Sequence, residues 1–283
     1  MIIKQTRIPA GSGQNVVDHV LHGEDNEECA VLLGDVHEVE ALAEARASTY
    51  RRKYCVRHAV LSPDQLLTRR QTAQLIQTFL DEFDAGDREY AVIIHLKMRT
   101  DGSKIPHLHL LVCECDRRGR VLNWQMTMKK NEKLARVAEV ELGHSLTLGR
   151  HNRAVAHHLV KHGHNAASII EPLARLPRPR AQYTSSQYQS AKRAGIPLKE
   201  IALRLKEAVE DHEMTKIDLL RSLADEHQLT FTKGADDQTI LIMAQGKRKI
   251  ASVNRLLRMN FDDPDTVLQQ LMQQTEPTAL TAI

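Results

Sequence analysis

Several features that would reveal a function directly are absent from this sequence of 283 residues. It has no apolar run long enough to cross a bilayer and no signal-peptide pattern at its start, so we expect a cytoplasmic protein without membrane insertion. Its four cysteines lack the spacing of a disulfide framework or a zinc knuckle, which is typical of a reducing compartment. No G-x-x-x-x-G-K-[ST] motif occurs, which excludes a P-loop motor that unwinds DNA.

Charge is also uninformative by itself, because a net charge of +3 does not predict nucleic-acid binding. Histidine is the residue type that stands out. The chain has 15 histidines, and all except His212 and His227 lie at or before His164. This asymmetry predicts an N-terminal catalytic or metal-binding domain followed by a different C-terminal domain.

Apolar periodicity predicts a mixture of helices and strands along the chain. The two most apolar predicted strands, 90–96 and 107–115, are close enough in sequence to form an antiparallel hairpin. A stretch that contains L-P-R-P-R and no acidic residue predicts a stiff basic linker. The predicted organisation is therefore a domain over 1–171, a linker over 172–195 and a small α+β domain over 196–283.

Two histidines interrupt the predicted strand that reads I-P-H-L-H-L-L-V. Side chains two residues apart leave the same face of a strand, so His107 and His109 point one way and Leu108, Leu110 and Val112 the other. His95 ends the preceding strand and can share that face. Three neutral imidazoles with open positions beside them are typical of a catalytic metal site. Partly exposed histidines on a polar sheet face would give the same pattern, but the third histidine favours a metal.

A second histidine cluster, His157, His158, His162 and His164, lies near the end of a predicted helix. His158 and His162 are four residues apart, which also suits a metal. Because these side chains sit in the last turn, complementing the helix C-terminus or touching DNA phosphates is the favoured interpretation.

The ordered set of motifs resembles the relaxase/mobilisation nuclease family of the HUH endonuclease superfamily. His107-Leu108-His109 matches the histidine-hydrophobe-histidine signature of the family. Earlier in the chain, the stretch R-H-A-V-L-S-P, which ends at Ser62-Pro63, matches the H-x-x-x-S motif of the family. The resemblance covers about residues 1–165. It implies an α+β fold, with a central antiparallel sheet that carries helices on one face and the metal on the other.

The resemblance also implies an activity. Members of this bacterial family nick and rejoin one DNA strand at an origin of transfer by transesterification, for mobilisation of a plasmid or integrative element. His95, His107 and His109 would hold one divalent ion, Mn²⁺ or Mg²⁺, with Zn²⁺ as an alternative. A side-chain nucleophile would become linked to the 5′ end of the cut strand. The implied partners are single-stranded origin DNA with a hairpin, an accessory DNA-binding protein and a type IV coupling protein.

The nucleophile is where this sequence departs from the family. The usual tyrosine on an early helix is missing, because the helix predicted over 15–23 contains none. The apolar residues of that helix share one arc, and His19 and His22 lie on the opposite one. His19 stands in the register of the family tyrosine, so we predict that it is the nucleophile, with His22, Tyr50 and Tyr54 as alternatives.

Other predicted roles concern DNA and the orientation of the metal ligands. Ser62 matches a DNA-contacting position of the family, and basic residues near the predicted site, Lys97, Arg99 and Lys104, could neutralise phosphates. The family often has His-x-Asp where this chain has His95-Leu96-Lys97, so an orienting carboxylate must come from elsewhere or be absent. Two alternative functions stay open: an HUH replication initiator or transposase, and a degenerate relaxase that regulates by binding DNA without cutting it.

Overall fold

A computed structural model describes most of the chain: residues 1–23, 28–98, 104–179, 181–211, 215–236, 238–244 and 248–272. Its contacts divide the chain into two compact units, one of residues 1–179 and one from residue 180 onwards. The segment 172–195, which the sequence predicts as a linker, holds most of a short 3-10 helix (Glu171–Arg175) and an α-helix (Ser185–Arg193). No described helix has the length and apolar character needed to span a membrane.

The first unit is built on a five-stranded antiparallel sheet with the strand order β1-β3-β5-β4-β2. The strands are β1 Ile2–Pro9, β2 Glu28–Leu33, β3 Tyr54–Ser62, β4 Tyr90–Met98 and β5 Lys104–Cys113. Strands β4 and β5 are antiparallel neighbours, as the short distance between them in sequence predicts. The α+β class with a central antiparallel sheet is therefore confirmed.

The α-helices of the first unit are α1 Gly13–His22, α2 Val36–Thr49, α3 Arg69–Glu82, α4 Thr127–Leu142, α5 Asn152–Lys161 and α6 Ala167–Ile170. Helix α3 begins with a capping box, in which Thr68 and Gln71 satisfy each other's backbone N–H groups. Helix α2 begins at Val36, and the side chain of Asp35 caps its first turn by accepting hydrogen bonds from the backbone N–H groups of His37 and Glu38.

Helices cover both faces of the sheet, which corrects the expectation that they lie on one. Helices α3 and α4 pack on the face that carries Leu108 and Leu110. Helices α1 and α2 pack on the opposite face, over Leu111 and Cys113. Because alternate residues of β5 face opposite ways, the second face is also that of His107 and His109. The proposed metal ligands therefore lie on the same sheet face as α1 and α2, and these helices cover the end of that face that carries Leu111 and Cys113.

The second unit is the small α+β unit that the sequence predicts. Its antiparallel sheet has the order β6-β7-β8, formed by Thr230–Lys233, Ile240–Ala244 and Arg248–Ser252. Its helices are α7 Ser185–Arg193, α8 Leu198–Asp211, α9 Lys216–Glu226, α10 Val253–Leu257 and α11 Pro264–Met272. Ala191 of α7 is fully buried in the core of this unit, so α7 is packed structure.

Candidate active site

Three neighbouring strands place histidines on one face of the sheet. His95 of β4 is directly opposite His107 of β5, and His109 follows two residues later on the same face. On the other side of β5, Val60 of β3 is opposite His109. His58 lies two residues from Val60, so its side chain leaves β3 on this face too. We refer to His58, His95, His107 and His109 as the histidine face.

The rings of the histidine face contact one another. The ring centroids of His95 and His109 are 4.2 Å apart. His58 stacks on His109 at 5.1 Å between centroids, and a hydrogen bond of 2.9 Å joins His58 Nε2 to His109 Nδ1. His107 Nδ1 lies 2.6 Å from Ser62 Oγ, at the end of β3. The structure thus brings together the three predicted metal ligands, with Ser62 and His58 as their hydrogen-bonding neighbours.

Burial keeps two of these imidazoles neutral. Burial lowers the pKa of His109 to about 2, and the nearby His58, His95, His107 and His19 lower it further in the same direction. Burial likewise lowers the pKa of His58 to about 4, with contributions from His19 and His95. A neutral imidazole is the form that binds a metal ion, so the environment maintains the protonation state that a metal site requires.

The imidazole nitrogens of His95, His107 and His109 are suitable ligands for a divalent ion, but their rings do not converge on a single point in this structure. Among the described residues, no three His, Cys, Asp or Glu side chains converge as a preformed metal group. Two of the rings are held in hydrogen bonds through Nδ1, one with His58 and one with Ser62. Metal-binding histidines commonly use one ring nitrogen for such a partner and the other for the ion. Binding one ion by His95, His107 and His109 stays a prediction.

Helix α1 brings His19 towards the histidine face. Val16, Val17 and Val20 are buried against the sheet, as the apolar arc predicts, and both His19 and His22 are exposed. His19 is close enough to contribute to the lowered pKa of both His58 and His109. The next residue, Val20, accepts a hydrogen bond from Cys29 Sγ at 3.6 Å, and Cys29 is directly opposite His95 across β2 and β4.

The two alternative tyrosines lie away from the histidine face. Tyr54 begins β3, four residues before His58, which corresponds to about 13 Å along an extended strand. Its ring packs against the Arg7 guanidinium at 4.0 Å. Tyr50 follows α2 and donates a hydrogen bond to the carbonyl of Arg117 at 2.8 Å. The structure therefore does not bring either tyrosine to the predicted metal ligands.

A cleft of about 550 Å³ opens beside His107 and Ser62. It is lined by Met1, Ile2, Lys4, Val60, Ser62, Asp64, His107 and Thr147. Two of the predicted phosphate contacts lie in the strands that carry the histidines: Lys97 follows His95 in β4, and Lys104 precedes His107 in β5. The third, Arg99, lies outside the described residues. Their contact with DNA stays a prediction.

His58 is the site residue for which the sequence analysis assigned no role. The H-x-x-x-S motif contains His58, but the motif does not predict its hydrogen bond with His109. The available signal was the spacing of His58 and Ser62, which are four residues apart in a predicted strand and so share a face. Which histidines they meet depends on the pairing of β3 with β5, and a strand pattern does not specify that pairing.

The second histidine cluster forms a ring contact. His158 and His162 lie at the end of α5 with centroids 4.4 Å apart. Burial lowers the pKa of His158, and the neighbouring Lys133 and His162 lower it further. The role of the cluster at the helix C-terminus or in contact with DNA phosphates stays a prediction.

One family profile matches the segment of the chain that carries this site. The profile of the family described as "Relaxase: MobA/VirD2-like, nuclease domain" matches residues 20–146. The resemblance to the relaxase family is thereby confirmed. The matched segment contains every member of the histidine face together with Ser62, and it begins one residue after His19. A relaxase nuclease domain supports a role in DNA relaxation and DNA binding.

Two solved structures are also similar to this relaxase-like chain. One comes from work on the molecular basis of vancomycin resistance transfer in Staphylococcus aureus, with 12% identity over 51% of this chain and 94% of that chain, and a TM-score of 0.34. The other is the conjugative relaxase TrwC in complex with oriT DNA in a metal-bound structure, with 11% identity over 74% of this chain and 84% of that chain, and a TM-score of 0.36. Both TM-scores are below 0.5, so neither likeness carries an argument about this chain. The search of curated proteins gave no match.

Proposed function

We propose that this protein is a metal-dependent DNA relaxase that nicks and rejoins one strand at an origin of transfer. The observation that carries the proposal is the histidine face, a cluster of four histidines within the segment that matches the relaxase nuclease domain; burial lowers the pKa of two of them, His58 and His109. The nicking step would produce a protein covalently linked to the 5′ end of the cut strand and a free 3′-hydroxyl on the other end. This reaction would serve the mobilisation of a plasmid or integrative element.

His95, His107 and His109 would hold one divalent ion, Mn²⁺ or Mg²⁺. Such an ion would polarise the scissile phosphate and stabilise the charge that develops during transfer. His58 and Ser62 would act as positioning residues. When Nδ1 of His109 carries the proton, it donates to His58 Nε2, and Nε2 of His109 keeps its lone pair for the ion. The same tautomer of His107 donates to Ser62 Oγ.

His19 is our candidate for the nucleophile. A neutral imidazole nitrogen would attack phosphorus, so that an N–P bond forms while the bond from phosphorus to the 3′ oxygen breaks. The departing oxygen gains a proton and becomes the 3′-hydroxyl, and the imidazole loses the proton of its other nitrogen. Imidazole has an ordinary pKa of about 6.5 and needs no separate base for this step, unlike tyrosine with a pKa of about 10. Attack of a 3′-hydroxyl on the adduct would rejoin the strand.

The partners we propose are single-stranded origin DNA with a hairpin, an accessory DNA-binding protein and a type IV coupling protein. The described part of the second unit is a compact α+β structure, which suits an accessory unit for DNA or protein binding. We expect cutting of a short single strand to survive deletion of the whole second unit, from residue 180 onwards, with weaker DNA affinity. If the truncated protein folds but cannot cut, the separation of roles between the units is wrong.

A nicking assay tests the proposed activity. Supercoiled plasmid that carries the cognate origin should be converted to the open circle in the presence of Mn²⁺, and a chelator should prevent this conversion. His107→Ala should abolish nicking, whereas His37→Ala, which changes an exposed histidine of α2, should leave it intact. Origin binding without any nicking under all metal conditions would instead favour the non-cutting regulator.

A further inference from the structure

A band of basic side chains crosses the surface formed by α4, α5 and the segment that follows them. We call it the basic band and define it by the lysines and arginines that line two neighbouring concavities: Lys129, Lys130, Lys133, Arg150, Arg153, Arg175 and Arg178. The whole chain has a net charge of only +3, so this concentration of positive charge is a local feature of one surface. Such a stripe is the electrostatic footprint of a polyanion-binding surface.

On α4 and α5, the basic band lies over the sheet face opposite to the histidine face. Helix α4 packs through Leu134 and Ala135 onto the sheet face that carries Leu108 and Leu110. Helix α5 in turn packs on α4, with Val155 in the shared apolar cluster. The sheet therefore separates the histidines from the part of the basic band on α4 and α5, and a ligand on that part does not occupy the proposed nuclease site. Arg150 lies nearer to that site in the chain, three residues after Thr147 of the cleft beside His107.

The two concavities have volumes of about 550 and 290 Å³, and Arg153 lines both. A hydrogen bond of 3.2 Å from Arg153 Nε to the carbonyl of Ala174 anchors this side chain between them. The larger concavity also contains His157 and His158, which belong to the second histidine cluster. The shared arginine makes the surface continuous, so it can follow an extended ligand.

Carboxylates offset only part of this positive charge. Glu82 pairs with Lys133 at 2.6 Å, and its carbonyl accepts a hydrogen bond from Lys130 Nζ at 3.1 Å. Glu171 pairs with Arg175 at 3.5 Å across the surface. Holding the remaining cations side by side costs electrostatic free energy, and a bound anion would relieve that cost.

The chemistry of the lining favours a phosphate backbone. No Phe, Tyr or Trp is among the residues that line the two concavities, whereas surfaces for single strands typically stack bases on such rings. Duplex DNA presents one charge for about every 1.7 Å of its axis. Helix α5, with its 10 residues, spans about 15 Å, which is long enough to follow several phosphates.

We propose that the basic band is a second DNA-binding surface, which holds the phosphate backbone of duplex DNA without reading its sequence. The choice of DNA as the polyanion rests on the proposed function. The protein would then hold duplex DNA over α4 and α5 while a single strand reaches the histidine face on the other side of the sheet.

Fluorescence anisotropy with a short labelled duplex of random sequence tests this proposal on the full chain. Lys129→Gln combined with Arg153→Gln should weaken binding about ten-fold at low salt. It should also reduce the slope of log K against log salt by about 2, because two phosphate contacts are lost. Lys53→Gln combined with Arg118→Gln is the matched control: it removes the same charge from exposed positions of the same unit outside the band, and affinity should not change.

Equal duplex affinity for the two double variants would overturn the proposal. Band-dependent binding of a polyglutamate peptide without band-dependent duplex binding would overturn it as well, in favour of an acidic protein partner. If the double variant does not fold, the exposed Lys129→Gln alone should still lower the salt slope by about 1.

Cutting of a short single-stranded origin oligonucleotide, measured in parallel, separates this inference from the proposed function. The band variant should cut at the normal rate while binding duplex weakly. If the unmodified protein never cuts but binds duplex DNA through the basic band, the proposed nuclease activity is wrong and the proposed duplex-binding surface is supported.

Discussion

Replacing His58 with phenylalanine tests how the histidine face is organised. Phenylalanine preserves a flat ring for the stack on His109, whose centroid lies 5.1 Å from that of His58. It removes the nitrogen that makes the 2.9 Å hydrogen bond with His109 Nδ1. Any effect of His58→Phe on metal binding therefore reports mainly on this hydrogen bond.

The expected magnitude follows from the role of His58 as the outer partner of a metal-binding histidine. Loss of such a partner typically weakens metal binding by about 10–100-fold. That range corresponds to about 1.4–2.7 kcal/mol of binding free energy. Because His109 is only 8% exposed, its unpaired Nδ1 would have little access to water, which favours the upper part of the range.

Isothermal titration of the full chain with Mn²⁺, without DNA, provides the measurement. His58→Phe should raise the Kd for Mn²⁺ by about 10–100-fold, and His109→Ala should abolish binding. His37→Phe, the same exchange at an exposed position of α2, should leave the Kd unchanged. An unchanged Kd for His58→Phe, together with lost binding for His109→Ala, would refute the positioning role of His58.

Two further predictions concern stability. The hydrogen bond with Arg46 lowers the pKa of Glu89 to about 2, so this carboxylate stabilises the fold above its ordinary pKa of 4.5, and that contribution is lost as the pH falls towards 2. Arg46→Gln should lower the free energy of unfolding by about 1–2 kcal/mol at pH 6, after allowance for the partial exposure of the pair, and by much less at pH 2.5. Urea unfolding at the two pH values measures this difference, and an equal loss at both would contradict the reasoning. Gly34→Ala should destabilise more than Gly143→Ala, because both glycines have positive φ but only at Gly34 would a Cβ meet another atom, the carbonyl oxygen of Tyr90 at 2.4 Å. Equal melting temperatures for the two variants would argue against that strain.

The features that the sequence predicted well depend on local periodicity. Alternation along β5 separates His107 and His109 from Leu108 and Leu110, and the short connection to β4 makes the two strands neighbours. The burial of one arc of α1 follows in the same way from the 3.6-residue period. These features need only one element, or two elements adjacent in the chain.

The features that were missed depend on contacts between distant segments. The hydrogen bond of His58 with His109 requires β3 to pair with β5, although a complete helix and strand separate them in the chain. The distribution of helices over both sheet faces is set by packing that an amphipathic pattern does not encode, since the pattern identifies an apolar arc but not the face it covers. The basic band likewise forms only because α5 packs on α4.

The chemical identity of the bond between the protein and the cut strand tests the central claim most directly. We predict a covalent adduct that survives denaturant and alkali but is lost in mild acid, because a phosphoramidate is more acid-labile than a phosphotyrosine ester. His19→Ala should abolish this adduct and leave DNA binding near normal, while Tyr50→Phe and Tyr54→Phe should retain it. An acid-stable adduct that disappears with either tyrosine would contradict the histidine mechanism.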